Sequence, residues 1–471
     1  VMLDFTNDIA ARLEKLFPDM LIQTFAYEYT EEAPPPGTIA PRKNVMIHLA
    51  QLGGEYYGVT KVQRDSLRNL DHPNNRGALE EILSWGRFGT PLKMWDYWVL
   101  YDQRCNFPYT VIPALAPNIR KYAANNVCRI FAESEVLMGS RLVMLRNFVD
   151  LTNYLGAKLM VNPDLDEEAV IADFMECYYG PAAKSMAELL LYLEEAMKSE
   201  PANIGKVGIG VRYLTPEFFA ETEKLLAAAE KTAQNDPSIL ERIGQERIPF
   251  DEAALDLQAK LSLPIDRKAV VERYRANFRK AFERYASPGY AEKYSKDLEQ
   301  HLELIGKRVD IPERFANKRV FDFPVFTLLK SEYPSCTIID DPQAAGGKAV
   351  KLGSSSKTDA EFHSKNLQFG VYSPAAKKFH LSQTVQRDAI FKDENYHWYY
   401  IGRTSLMNDS LIWVHWSWRL GLKCAGTVYN PVLPDAEYGI WLSIKLEGDA
   451  YAPGSKNENA VIVDRIIITK E

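Results

Sequence analysis

Strand-like and helix-like patterns alternate over the first part of the chain. The apolar runs typical of strands are 21–30, 44–52, 92–102 and 127–135. Amphipathic segments at 76–89 and 112–126 lie between them, and each is long enough to be a crossover helix between parallel strands. This alternation predicts a parallel sheet, and the polar and aromatic strand ends favour the C-terminal half of a (β/α)8 barrel over residues 1–140.

The pattern provides only about four strand–helix units, whereas a closed barrel of this kind has eight. An unclosed barrel would expose the edges of its sheet. We therefore expect the missing half of the barrel to lie upstream or on another chain.

Residues 141–310 have the period of helices, so we expect a helical region packed on the barrel. Asp164, followed three residues later by Glu167, is typical of a helix start, and Gly180 with Pro181 is typical of its end. Further helices are expected at 183–198, 216–234, 251–262 and 266–304.

From residue 311 to residue 471 the strand pattern returns, and Gly, Pro, Asn and Asp separate the segments. Clear examples are KAVKLG (348–353), YGIWLSIKLEG (438–448) and AVIVDRIIITK (460–470). This pattern predicts a C-terminal β-sandwich of the jelly-roll type, so the chain combines an α/β part with an all-β part.

Composition narrows the classes of partner. The net charge is -7 and long blocks of Lys and Arg are absent from the sequence, which argues against nucleic-acid binding. No apolar run reaches the roughly 20 residues of a membrane span. The five cysteines are scattered, so buried free thiols are expected rather than a zinc site or a disulfide framework.

Three carboxylates at strand ends are candidates for general acid and base catalysis: Glu28, Asp96 and Glu133. Strand alternation through 21–30 would place Glu28 inside the barrel with Ile22, Thr24 and Ala26. A structural ion pair with an arginine is the alternative for Glu28, and Glu135 is a weaker candidate that could instead begin the next helix.

Aromatic side chains accompany these carboxylates, and their faces could stack on the CH groups of a sugar ring. The expected substrate-binding residues are Tyr27, Tyr29, Trp95, Tyr97, Trp98, Tyr101 and Asp102. The alternative is that Trp95 and Trp98 anchor the core while Asp96 caps a loop. His48, opposite Val45 and Ile47, is better explained as a packing residue than as a catalyst.

Several segments together resemble a known family. FAYEYTEEAPP, NVMIHLAQ, MWDYWVLYDQ and the helical tail ending in YYGPA are similar, in this order, to the bacterial domain of unknown function 4838, over about residues 1–200. The resemblance implies a glycoside-hydrolase-like barrel, distantly like those of α-glucuronidases and β-hexosaminidases. Its most specific element, the helical tail, is architectural rather than catalytic.

We therefore expect a glycoside hydrolase that acts on a polysaccharide or oligosaccharide and is exported to the periplasm or cell surface of a bacterium. The alternatives are a non-catalytic glycan-binding protein and an assembly module. No cofactor and no metal in the site are expected, although a structural calcium ion in the β-sandwich is kept open.

Overall fold

A computed structural model provides the structure of the chain. It describes residues 2–51, 65, 67–99, 107–134, 145–199, 212–285, 310–316, 319–324, 336–353, 366–373, 378–386, 393, 395–405, 411–415, 437–447 and 460–470. Two compact units divide the chain. One comprises Val1–Asp102, Asn106–Asp256 and Glu272–Asp297, and the other comprises Gln103–Cys105, Leu257–Val271 and Leu298–Glu471.

The first unit contains a parallel sheet. Its strands, in spatial order, are β1 (Ile22–Ala26), β2 (Val45–Ala50), β3 (Leu92–Tyr97) and β4 (Val127–Glu133). Every neighbouring pair in this order is parallel. The parallel sheet expected from the sequence is thus confirmed, and chain order equals spatial order as it does in consecutive β/α units.

One face of this sheet is completely buried along its two central strands. Val45, Ile47, Leu49, Leu92 and Met94 have no exposed surface. They occupy alternate positions of β2 and β3, so their side chains lie on the same side of the sheet. Complete burial of such a side chain stabilises the fold by about 1.5–3 kcal/mol. We call this side the covered face.

Nine helices are described. They are α1 (Met2–Glu14), α2 (Arg76–Gly86), α3 (Ile112–Ala123), α4 (Val149–Val161), α5 (Glu167–Tyr179), α6 (Ala183–Lys198), α7 (Pro216–Thr232), α8 (Pro237–Leu261) and α9 (Arg267–Tyr285). Helix α2 lies in the chain between β2 and β3, and α3 lies between β3 and β4, where crossover helices were expected.

The start of α5 differs by two residues from the expectation. Asp166, not Asp164, is the N-cap, and its carboxylate accepts hydrogen bonds from the backbone N–H groups of Glu168 and Ala169. Gly180 ends the helix with a φ of 48°, a conformation that glycine adopts at little cost.

Helix α8 also begins 14 residues before the predicted position 251, because Pro249 is accommodated within it.

The second unit contains two antiparallel sheets. Their strands are β5 (Arg319–Pro324), β6 (Cys336–Asp340), β7 (Lys348–Gly353), β8 (Asn366–Ser373), β9 (Lys378–Gln386), β10 (His397–Ser405), β11 (Leu411–His415), β12 (Glu437–Glu447) and β13 (Ala460–Lys470). One sheet has the order β10-β12-β13-β7-β6, with β5 paired to β13, and the other has the order β11-β8-β9. Antiparallel sheets, as expected, therefore follow the α/β part among the described residues.

The expectation of buried thiols is wrong for two cysteines. Cys128 and Cys177 are both free and exposed. No helix within the described ranges is long and apolar enough to cross a bilayer.

Candidate functional site

The side of the parallel sheet opposite the covered face carries a continuous set of aromatic rings. The ring of Phe25 on β1 stacks on that of His48 on β2, with centroids 4.5 Å apart and an interplanar angle of 24°. His48 in turn stacks on Trp95 of β3 at 5.6 Å, and Trp95 meets the edge of Phe131 of β4 at 4.7 Å. Tyr97 stacks on Trp95 at 6.1 Å. We call these five residues the aromatic face.

Exposure is uneven across the aromatic face. Phe25 and Phe131, on the two outer strands, are 42% and 44% exposed, whereas His48 on β2 is 2% exposed and Tyr97 on β3 is 8% exposed. The two outer rings thus keep exposed apolar surface, and His48 and Tyr97 are held by packing.

A carboxylate lies at the carboxyl end of this face. The indole N–H of Trp95 donates a hydrogen bond to Oε2 of Glu133. Tyr97 and Glu133 are direct partners in the register of β3 and β4, so both belong to the same side of the sheet as Trp95. Of the predicted residues, Trp95, Tyr97 and Glu133 are therefore brought together.

His48 is held as a neutral imidazole. The Gln23 amide nitrogen and the Nδ1 atom of His48 are 3.0 Å apart, and this contact fixes the ring edge on the β1 side. Burial, with a smaller contribution from the positive charge of Lys93, lowers the pKa of His48 to about 4. The Nε2 atom of His48 is buried and has no hydrogen-bond partner among the described residues.

Two cations lie beside the aromatic face. Lys93 is the register partner of His48 on one side and of Arg129 on the other. Along β3 and β4 they precede Trp95 and Phe131 by two residues, so they form the neighbouring row of the same side of the sheet.

Asp96 and Trp98 lie on the opposite side of the sheet. Asp96 pairs in register with Ala132, is 2% exposed and accepts a hydrogen bond of 3.1 Å from the indole N–H of Trp98. Trp98 is 3% exposed and packs against Gly156 of α4. Alternation along β3 separates them from Trp95, so the expectation that Asp96, Trp98 and Glu133 share one site is wrong in this respect.

The end of β1 also differs from the expectation. The strand ends at Ala26, and Glu28–Thr30 forms a 3-10 turn, so the alternation does not continue to Glu28. The side chain of Glu28 lies outside the described residues. Tyr27 is partly buried and Tyr29 is 85% exposed. The face of β1 that joins the aromatic face is that of Phe25, whereas the face expected to point into the barrel, that of Ile22, Thr24 and Ala26, lies on the covered side.

Three further candidates, Tyr101, Asp102 and Glu135, lie outside the described residues.

A second group of polar residues surrounds the end of β2. Gln51 donates to the backbone oxygen of Ala78 at 2.8 Å and to the carboxylate of Glu81 at 3.1 Å. Glu81 and Glu31 are 6% and 2% exposed. Burial, with the negative charge of Glu31 as the next cause, raises the pKa of Glu81 to about 8.

Sequence reasoning missed Phe25 and Phe131 as members of the site, and it gave His48 a packing role only. The missing signal was the register of the strands. Phe25 and Phe131 each lie two residues from a predicted candidate, Tyr27 and Glu133, but a sequence does not show which strands pair. Among the described residues, no group of three or more His, Cys, Asp or Glu side chains is arranged to hold a metal ion.

Comparisons with known proteins add one relationship. No curated protein matches the chain, and no solved structure matches it. A family model does match residues 1–190, which include all four strands of the parallel sheet and the whole aromatic face. Over these residues the chain is similar to the family described as Domain of unknown function (DUF4838).

Proposed function

We propose that the aromatic face binds a saccharide. The observation that carries the proposal is the combination of two exposed rings, Phe25 and Phe131, with a carboxylate, Glu133, that Trp95 holds by a hydrogen bond. Sugar rings have one apolar face of CH groups and an edge of hydroxyls. An aromatic surface bordered by a fixed carboxylate complements both.

Exposure of the rings supports this role. Phenylalanine side chains are among those most often buried. Two exposed ones at the opposite ends of one row of rings extend an apolar surface of the kind that marks a binding site. Stacking of Phe25, His48 and Trp95 restricts the rings before any ligand arrives. A ligand would therefore lose little affinity to the ordering of protein side chains.

Glu133 would accept hydrogen bonds from sugar hydroxyls. One of its carboxylate oxygens, Oε2, already accepts the Trp95 N–H, which fixes the orientation of the group. A charged acceptor forms stronger hydrogen bonds than a neutral one. The carboxylate would thus select for hydroxyl groups next to the stacked ring.

Glycoside hydrolysis is the second candidate. It is favoured by the place of Glu133 at the carboxyl end of a parallel strand, where barrel enzymes carry their catalytic groups. Hydrolysis needs two carboxylates about 5–10 Å apart. Because Asp96 belongs to the covered face, the partner of Glu133 would come from elsewhere, and Glu28 or another chain remains a candidate. Saccharide binding is therefore the function that the geometry supports better.

Two architectural proposals accompany this function. We infer that the parallel sheet is half of a (β/α)8 barrel, because α2 and α3 connect its parallel strands in the way that β/α units do. We also infer that the antiparallel sheets of the second unit form a jelly-roll β-sandwich. Export to the periplasm or cell surface is the setting in which a polysaccharide ligand would be met.

Binding is tested by substituting the exposed ring. A glycan array would first select oligosaccharides that bind, and isothermal titration calorimetry would then measure their affinities. Phe131→Ala should weaken binding roughly five- to thirtyfold, which corresponds to about 1–2 kcal/mol of lost stacking. Phe17→Ala is the matched control, because Phe17 is 51% exposed and lies after α1, outside the aromatic face.

Equal affinities of the Phe131→Ala variant and the unmodified chain would refute the proposal, as would the absence of any bound glycan. Hydrolysis is tested separately with Glu133→Gln. Loss of turnover with retained binding would establish catalysis, whereas binding without turnover in the unmodified chain would leave saccharide recognition as the function.

A further inference from the structure

We propose that Lys93 and Arg129 form an anion-recognition element beside the aromatic face, so that the saccharide it binds carries a carboxylate or a sulfate. This inference rests on the proposed function and names its ligand class. The element consists of two neighbouring cations on one side of the sheet, next to the rings on which a sugar would stack.

The register of the strands places the two cations together. Lys93 on β3 and Arg129 on β4 are direct partners across the parallel pair. Partners in register lie on the same side of a sheet, on strands about 4.8 Å apart. Two long cationic side chains that start this close can both reach one acidic group.

The two cations lack a counter-charge within the described residues. The side chains of Lys93 and Arg129 form no ion pair and no hydrogen bond with a described residue. By contrast, other arginines of the same unit are paired, for example Arg120 with Glu167 and Arg247 with Glu223. Two like charges placed side by side repel each other, and an anion between them would remove this cost.

The neighbouring groups do not supply that anion. His48, the register partner of Lys93 on β2, is neutral at physiological pH, because its pKa is lowered to about 4 by burial and by the charge of Lys93. Glu133 lies four residues after Arg129 on β4, a separation of about 13 Å along an extended strand. Its carboxylate is bound to Trp95, which lies between it and the cationic row.

The spacing suits a ring that carries an acidic group. Trp95 and Phe131 follow Lys93 and Arg129 by two residues, a step of about 7 Å along each strand. A pyranose ring stacked on Phe131 would thus bring an exocyclic carboxylate or sulfate to the cationic pair. Arginine binds both groups through two parallel hydrogen bonds, and lysine binds them as a point charge.

The test compares matched ligands and matched variants of the full chain. Calorimetry would measure binding of neutral galactan, oligogalacturonate and carrageenan oligosaccharides of equal length, which provide no anion, a carboxylate and a sulfate. A glycan array with the same three classes on other sugars would extend the comparison. We expect the acidic ligands to bind more tightly than the neutral one, and this preference to decrease with added salt.

Lys93→Gln and Arg129→Gln should each weaken binding of the acidic ligand about tenfold and leave neutral-ligand affinity unchanged. Lys93→Arg should retain the preference, because it keeps the charge. Lys15→Gln is the control, since it removes an exposed lysine after α1 that has no ion pair with a described residue.

Equal binding of neutral and acidic ligands would overturn this inference and leave saccharide binding intact. An equal loss of neutral-ligand affinity in Lys93→Gln would overturn it too, since the lysine would then support the fold of the site. Absence of binding to every glycan would overturn both proposals. If Lys93→Glu instead converts a dimer to a monomer in light scattering, the cations hold a second copy of the chain, and the inference is wrong.

Discussion

The packing of Trp98 on Gly156 leads to a prediction that separates a core residue from a ligand-binding one. A Cβ atom placed on Gly156 of α4 would overlap Cη2 and Cζ3 of the Trp98 ring and lie 3.3 Å from its Cζ2. The ring has little room to move, because it is 3% exposed and its N–H is bound to Asp96. Gly156→Ala therefore requires a shift of helix α4 or of the ring.

Two opposing contributions determine how much Gly156→Ala changes the free energy of unfolding. Overpacking of a tight core costs about 1–3 kcal/mol, and the upper end applies here because the overlap is with a ring. Alanine in place of glycine inside a helix returns about 1 kcal/mol. We expect Gly156→Ala to lower the free energy of unfolding by about 2 kcal/mol. In a Trp98→Leu background the overlap is gone, so the same substitution should be neutral or stabilising.

Urea denaturation followed by far-UV circular dichroism measures both effects, and the double-mutant cycle gives a coupling of about 2–3 kcal/mol. Gly86→Ala is the control, because its new Cβ would make an ordinary 3.5 Å contact with the backbone oxygen of Asn125. A Gly156→Ala variant as stable as the unmodified chain would refute the packing argument. Changed saccharide affinity in a folded Trp98→Leu variant would restore Trp98 to the binding site.

Three further predictions concern stability. The pKa of Glu81 is raised to about 8, mainly by burial, so the folded chain binds a proton that the unfolded chain releases near pH 4.5. Stability should therefore fall as the pH rises between these values, by at most about 1.4 kcal/mol per pH unit, and Glu81→Gln should remove this dependence in thermal melts from pH 5 to 8. Asp166→Ala removes the N-cap of α5 and should cost about 1 kcal/mol in urea titrations, whereas Asp166→Asn should cost little. Arg247 is 1% exposed in its side chain and binds Glu223 and Glu230, which are 52% and 35% exposed, so Arg247→Met leaves no buried charge and should cost about 2 kcal/mol from the lost hydrogen bonds; an unchanged urea midpoint would show that these pairs contribute nothing.

The sequence was sufficient for the elements that local chemistry determines. Helix α6 begins and ends at the predicted residues 183 and 198, because an apolar stripe and flanking loops define it without reference to the rest of the chain. Strand β13 was predicted over its full length for the same reason, since eleven residues with alternating and β-branched side chains leave few alternatives.

The candidate site could be predicted only in part, because it depends on which strand positions face the same side. The pattern around Trp95 predicted an aromatic and acidic strand end, and the structure places the predicted carboxylate Glu133 beside Trp95. Which of Asp96 and Trp98 would join Trp95 depends on the point at which strand β3 passes from regular alternation into the following loop. The Phe25 and Phe131 contacts require the pairing of β1 with β2 and of β3 with β4, which is long-range information.

The alternation within β3 has a consequence for how this protein could change over evolutionary time. Trp95 and Tyr97 can be exchanged for other aromatic residues, since their rings pack on the aromatic face and not in the core behind the sheet. Asp96 and Trp98 are tied to each other and to Gly156, so they can change only together. Insertion of a single residue into β3 would exchange the two sets at once and abolish both the site and the core. Substitutions in this strand can therefore give new specificities, whereas a change in the length of the strand is not tolerated.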